Sequence, residues 1–130
     1  MRSQARAVVI GGGVVGVSTL YHLAKKGWSD VVLVERKELT SGSTWHAAGL
    51  LPLFNMSYSV GQIHKYSVGL YRRLEAETGQ NVGFRQVSNI RLARTRDRMD
   101  EFLFYKGVAE TVGVDVKVLT PAYDPGTPAT

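Results

Sequence analysis

Six consecutive residues, Gly11-Gly12-Gly13-Val14-Val15-Gly16, satisfy the spacing G-x-G-x-x-G, and a carboxylate, Glu35, follows 19 positions after Gly16. Each glycine has a physical task. Gly11 permits a tight turn off a strand, Gly13 lets the backbone approach a diphosphate, and Gly16 lets a helix pack closely on that strand. The free amides at the helix start and its positive dipole end would then face the diphosphate. Glu35 can accept hydrogen bonds from both ribose hydroxyls of an adenosine, and it repels a 2′-phosphate unless Arg36 offsets that charge, so NADP is disfavoured. The spacing alone is a weak signal, and a strand before it with a helix after it is the confirming context. FAD and NAD use the same unit, so both remain open at this point.

The segment Gly42-Ser43-Thr44-Trp45-His46-Ala47-Ala48-Gly49 places small residues and hydroxyls where a second backbone approach to the diphosphate could occur. An NAD domain usually goes from its second strand into another helix and strand of the same sheet, whereas this chain inserts a hydroxyl-rich loop. A lone histidine in such a loop, His46, is by default a hydrogen-bonded structural residue. His22 reads as surface or packing, and His64 could approach a flavin-side cavity. The three histidines do not match metal-ligand spacing, so no metal site is expected. Met56, Tyr58, Tyr66 and Tyr71 read as core or interface.

These residues need elements to carry them. Arg6–Ile10 reads as a buried parallel strand, Val14–Lys26 as a helix with Val17, Leu20, Tyr21 and Ala24 on one face, and Gly27 as its terminator. Val31–Val34 reads as a second buried strand. Two parallel strands joined by a helix form a crossover unit. Further on, Ser57–Thr78 reads as a long helix with Val60, Ile63, Ser67, Leu70, Tyr71 and Leu74 on one side, ended by Gly79. Asn89–Ala93 reads as a strand. Thr95 caps a helix over Arg96–Val112, with Met99, Phe102, Leu103, Ala109 and Val112 inward. Val116–Leu119 reads as a short strand, and Ala122–Thr130 as an unstructured tail. A doubly wound sheet needs about five strands, and two of that kind are legible, so the fold is expected to be an incomplete front end of a longer protein.

The chain has 130 residues, 44% hydrophobic and 21% charged, which reads as a soluble globular protein. It has no cysteine, which excludes disulfide frameworks, cysteine-ligated metals and thiol catalysis. No targeting segment is visible, and no apolar run approaches the roughly 20 residues of a bilayer span. The net charge of +5 invites a nucleic-acid reading. The arginines, however, alternate with acids along two helices (Arg72, Arg73 beside Glu75, Glu77; Arg96, Arg98 beside Asp97, Asp100, Glu101), the pattern of solvated faces, so no nucleic-acid partner is expected.

Val8–Gly16, Val32–Glu35 and Leu39–Leu50, with Leu70-Tyr71, Glu75–Gln80 and Ile90-Arg91-Leu92-Ala93 beyond them, resemble the N-terminus of the dimethylglycine dehydrogenase and sarcosine dehydrogenase family. The run Ser-Thr-Trp-His-Ala-Ala-Gly at Ser43–Gly49 is far more specific than the glycine spacing, and the similarity fades after about Pro121. The resemblance implies an α/β fold: the N-terminal part of an FAD-binding Rossmann-like domain of the glutathione-reductase type, over residues 1–121. It implies that His46 is bonded covalently through an imidazole nitrogen to the 8α-methyl of FAD. It implies backbone contacts from Val14 and Val15, a ribose contact from Glu35 beside Arg36, and a loop from Gly42 through Ala47, Ala48, Gly49 and Leu50 wrapped along the cofactor.

The implied activity is oxidation of an N-methyl amine such as dimethylglycine or sarcosine, with hydride passing to flavin N5. The one-carbon unit goes to water or tetrahydrofolate, and electrons go to an electron-transfer flavoprotein or oxygen. The implied location is the cytoplasm of a bacterium or the mitochondrial matrix of a eukaryote. Two other readings stand beside it: a non-catalytic regulatory member of the same family, and an NAD-dependent dehydrogenase fragment. The family's substrate-handling and folate-binding residues lie beyond position 130, so no catalytic residue is assigned. Gln86-Val87-Ser88-Asn89 departs from the glycine that relatives commonly carry before the Ile-Arg-Leu-Ala strand, and the tail does not look like the family's continuation.

Overall fold

A computed structural model describes residues 4–120. The chain divides into two compact units, Met1–Leu50 and Leu51–Thr130, and the residues expected to form a tail lie outside the described part.

In the first unit, β1 (Ala7–Ile10) pairs in parallel with β2 (Val31–Val34), with Ala7 opposite Val31 and Ile10 opposite Val34. Helix α1 (Val14–Lys25) makes the crossover. It begins directly at Gly13, which offers no side-chain cap. It ends where expected: Gly27 adopts φ +83°, Gly27 N donates to Ala24 O, and Trp28 N donates to Leu23 O. Those two bonds satisfy carbonyls the helix would otherwise leave open. The seam of α1 is shifted from the expected one. Leu20 and Tyr21 are half-buried as expected, but Val17 and Ala24 are exposed, and Gly16 and Leu23 complete the covered face. The cause is Gly16: a Cβ there would lie 1.9 Å from the Gly11 carbonyl oxygen and 3.4 Å from Val9 Cγ1. The closest approach of helix to strand therefore falls on a residue without a side chain.

In the second unit, α2 (Tyr58–Thr78) and α3 (Arg96–Val112) pack together. The expected cap Thr95 and terminator Gly79 form, and Ser57 and Gly113 add a cap and a terminator of the same kinds. The Ser57 hydroxyl accepts from Val60 N and the Thr95 hydroxyl from Arg98 N, while Gly79 and Gly113 end the helices at φ +71° and +77°. Lys65 Nζ adds a cationic cap, donating to the Val112 carbonyl at 2.7 Å. On α2 the expected Ser67, Leu70, Tyr71 and Leu74 are half-buried, but Val60 and Ile63 are exposed, and Gly61, His64 and Val68 complete the covered face. Gly61 sets this seam, because a Cβ there would come 2.9 Å from Val112 Cγ2. On α3, Ala109 and Val112 are buried as expected, but Leu103 is exposed and Tyr105 and Val108 take its place. Phe54, Phe102 and Tyr105 form an edge-to-face cluster.

Neither Asn89–Ala93 nor Val116–Leu119 forms a strand. A strand exists through its ladder to a neighbour, and no partner strand lies beside either segment among the described residues. Arg91 instead lies over the Phe54 ring at 5.1 Å and donates to the Phe54 carbonyl.

Candidate functional site: the glycine turn and the loop that folds onto it

The turn between β1 and α1 is the most crowded backbone of the first unit. Gly11 holds φ +105°, a value L side chains rarely adopt. Gly12 is buried; a Cβ on it would fall 2.5 Å from Leu39 Cδ2 and 3.1 Å from Glu35 Cβ. Gly13 faces the loop, where its missing Cβ would sit 3.0 Å from Thr44 Oγ1. Gly11 thus makes the tight turn its position predicts, and Gly13 lets the Thr44 hydroxyl come close. Gly12, its "x", is equally constrained, and the third glycine of the run was the signal for it.

Glu35 ends β2 beside this turn. Its Oε2 accepts from Gly12 N at 2.6 Å and its Oε1 from Lys37 N at 2.9 Å. The Gly12 amide first, then the Lys37 amide, with Arg36 adding its amide and its charge, hold the carboxyl below its ordinary value of 4.5. Each carboxylate oxygen keeps a second lone pair for a further donor. A pocket of about 260 Å³ opens here, lined by Ile10, Gly11, Val34, Glu35 and Arg36. Its walls are apolar side chains at the carboxyl ends of the strands, with one acid and one base at the rim. That is the crevice in which open α/β sheets bind ligands.

The N-terminus of α1 carries no acidic residue in its first turn, and the acid beside it is Glu35, bonded to the Gly12 amide. Val14 N donates to Thr44 Oγ1 at 2.9 Å, and Val15 is exposed next to it. Thr40 N donates to Gly12 O at 3.0 Å with Thr40 at φ +66°. Neither Thr40's conformation nor its bond was legible in sequence, since β-branched residues rarely take that φ. Ser43–His46 closes into one turn of 3₁₀ helix. Within it, His46 Nδ1 donates to the Gly42 carbonyl at 3.0 Å, and Trp45 Nε1 donates to His46 Nε2 at 3.1 Å. The carbonyl can only accept, so Nδ1 carries the proton and the Nε2 lone pair accepts from the Trp45 indole. Ser43, Trp45, Ala47, Ala48, Gly49 and Leu50 are all exposed.

Of the residues expected at the site, then, Gly11, Gly13, Val14, Gly16, Glu35 and Thr44 converge on one turn. Arg36 lines the pocket beside them. His46 is carried by the same turn as Thr44. His64 has a structural role in the second unit, donating from Nδ1 to the Pro52 carbonyl at 2.8 Å. Among the described residues no three His, Cys, Asp or Glu side chains cluster to hold a metal.

A parallel β-α-β unit with this turn is the N-terminal signature of a Rossmann-like dinucleotide-binding fold. The chain belongs to the FAD dependent oxidoreductase family, whose model matches residues 6–129. It is 57% identical over 103 residues to rat mitochondrial dimethylglycine dehydrogenase, covering 79% of this chain and 12% of the relative. It is 45% identical over 121 residues to human mitochondrial sarcosine dehydrogenase (92% and 13%). It is also 38% identical over 119 residues to the mouse mitochondrial pyruvate dehydrogenase phosphatase regulatory subunit (92% and 14%). The chain therefore spans about an eighth of the length of the relatives it matches.

Proposed function

We propose that this chain supplies the ADP-anchoring and flavin-tethering part of an oxidoreductase that demethylates an N-methyl amine such as dimethylglycine or sarcosine. The observation that carries the reading is that the glycine turn, Glu35 and the turn bearing Thr44 and His46 are joined by direct hydrogen bonds within one small unit. The fit to FAD is physical. At Gly11 nothing lies within 4 Å of where a Cβ would be, which leaves the backbone open to a diphosphate. The α1 N-terminus offers the Val15 amide to its oxygens while Thr44 holds the Val14 amide, and Ile10 and Val34 give an apolar seat for adenine beside Glu35 and Arg36 for the ribose. The loop from Gly42 through Ser43, Trp45, Ala47, Ala48, Gly49 and Leu50 lies free to cover the cofactor. With the proton held on Nδ1 by the Gly42 carbonyl, Nε2 of His46 is the nucleophile toward the flavin 8α-methyl once the Trp45 indole releases its lone pair.

The chemistry FAD supplies when bound is removal of a hydride from the N-methyl carbon. The iminium left on the substrate yields its one-carbon unit to water or tetrahydrofolate, and electrons pass on to an electron-transfer flavoprotein or to oxygen. No helix among the described residues is long and apolar enough to cross a membrane. The mammalian relatives are named as mitochondrial, which supports the mitochondrial matrix for a eukaryotic source, and the reading becomes cytoplasmic for a bacterial one.

The test uses the protein expressed from its complete gene. After acid precipitation, yellow colour retained in the pellet is expected, and His46→Ala should move it to the supernatant. Colour in the supernatant of the wild type would sink the covalent link. A protein with no flavin at all would instead favour a regulatory role, the second reading that the likeness to the phosphatase regulatory subunit supports. An NAD-linked reading has less behind it, because the chain after Glu35 enters the Thr44–His46 turn and not another helix of the sheet.

A further inference from the structure

We infer that Thr44 is a positioning residue for flavin attachment: its hydroxyl staples the histidine-bearing turn to the N-terminus of α1 and so sets where His46 is delivered. This rests on the FAD reading above and adds to it a role for a side chain that does not itself react.

The loop after β2 is tied back to the glycine turn at two points. One is Thr40, whose amide donates to Gly12 O at 3.0 Å while its backbone sits at φ +66°. A β-branched residue holds such a conformation only where its surroundings over-determine the backbone. The other is the Thr44 hydroxyl, which accepts from Val14 N at 2.9 Å. That oxygen also lies 3.0 Å from the position a Cβ would take on Gly13, so the contact exists only because Gly13 is glycine. His46 follows within the same 3₁₀ turn, its Nδ1 held by Gly42 O. The path from the α1 N-terminus to the imidazole is therefore an amide, one hydroxyl and a single closed turn. The helix end that faces the diphosphate and the nucleophile that meets the far end of the cofactor are mechanically one piece. Cutting the staple leaves Thr40 as the remaining tie, four residues further from Thr44 and six from His46. Misplacement of a reacting atom by about 1 Å costs on the order of 100-fold in rate.

Attachment exchanges the hydrogen bond that His46 Nε2 accepts from the Trp45 indole for one covalent bond, from Nε2 to the 8α carbon. One C–H bond of that methyl breaks, its proton and the Nδ1 proton pass to solvent, and the electron pair remains on the isoalloxazine until dioxygen removes it as hydrogen peroxide.

The experiment follows acid-precipitable flavin against time after adding saturating FAD to apoprotein from the complete gene. Thr44→Val and Thr44→Ala should attach about 10-fold more slowly or worse, by the same proximity argument. Thr44→Ser, which keeps the acceptor, should stay within about twofold of wild type. Thermal midpoints of all variants are compared alongside, and if valine disturbs the fold the alanine–serine pair carries the comparison. Wild-type attachment rates in the valine and alanine variants would overturn the positioning role and leave the FAD reading standing. A serine variant as slow as alanine overturns it as well. Absence of acid-stable flavin in the wild type would overturn both.

Discussion

Glu35 shows how one side chain can tie a strand end to a turn. Its carboxylate accepts from the Gly12 and Lys37 amides, which ties the end of β2 to the glycine turn and holds its pKa below the ordinary 4.5. Because the folded value lies below the unfolded one, this contribution is complete at neutral pH. It is lost as pH falls below 4.5 and through the lowered native value. Glu35→Gln should therefore lower the urea midpoint by a constant amount between neutral pH and the start of that titration, and the gap to wild type should close as pH falls further. A gap that persists unchanged in acid would mean that the charge is not what binds the turn. The role of Glu35 as an acid at the end of the second strand was legible from its spacing after Gly16. Its grip on Gly12 was not, because a carboxylate's backbone partners depend on which loop lies opposite.

Elements here are set by glycines in two opposite ways, and substitution should separate them. At Gly16 a Cβ would collide with a backbone oxygen at 1.9 Å, an atom that cannot swing aside. Gly16→Ala should cost about 3 kcal/mol through forced separation of α1 from β1. At Gly107, inside α3 and exposed, an added Cβ meets nothing within 4 Å. Gly107→Ala should stabilise by about 1 kcal/mol, the helix-propensity difference. Chemical denaturation of the two variants checks both signs. The helix bounds themselves were legible because capping is local: Thr95, Gly27 and Gly79 each act within a turn of the element they end. The inward faces were legible only in part. Hydrophobic periodicity gave a face within about one residue's rotation, and Gly16 and Gly61 then decided which residues meet the neighbour.

For the whole molecule, the described surface leaves much apolar area in contact with solvent. Ile10, Val15, Leu50, Val87, Ile90 and Leu92 are each at least 75% exposed, while Val68, Ala109 and Val112 are the buried hydrophobic residues. Patches of that kind drive association in water. The 130-residue chain taken alone should therefore elute as concentration-dependent oligomers and enhance the fluorescence of an apolar dye. A monomeric, dye-silent chain in light scattering would show that these side chains find cover within it. The two unpaired segments, around Ile90 and Val118, belong to this scale too. Their residue types suit strands, yet strand formation is a property of pairs.

The sequence by itself determined the β-α-β order, the glycine turn, the helix limits and the family, because each rests on short-range signals or on a contiguous run such as Ser43–Gly49. Tertiary structure alone decided that Glu35 would bind Gly12, that Thr44 would take the Val14 amide across 30 positions of chain, and that His46 would hold its proton on Nδ1. Those contacts join residues far apart in sequence or depend on a loop's closure. Neither propensity nor spacing encodes such proximity; it follows only once β2 has paired with β1 and carried the loop back over the turn.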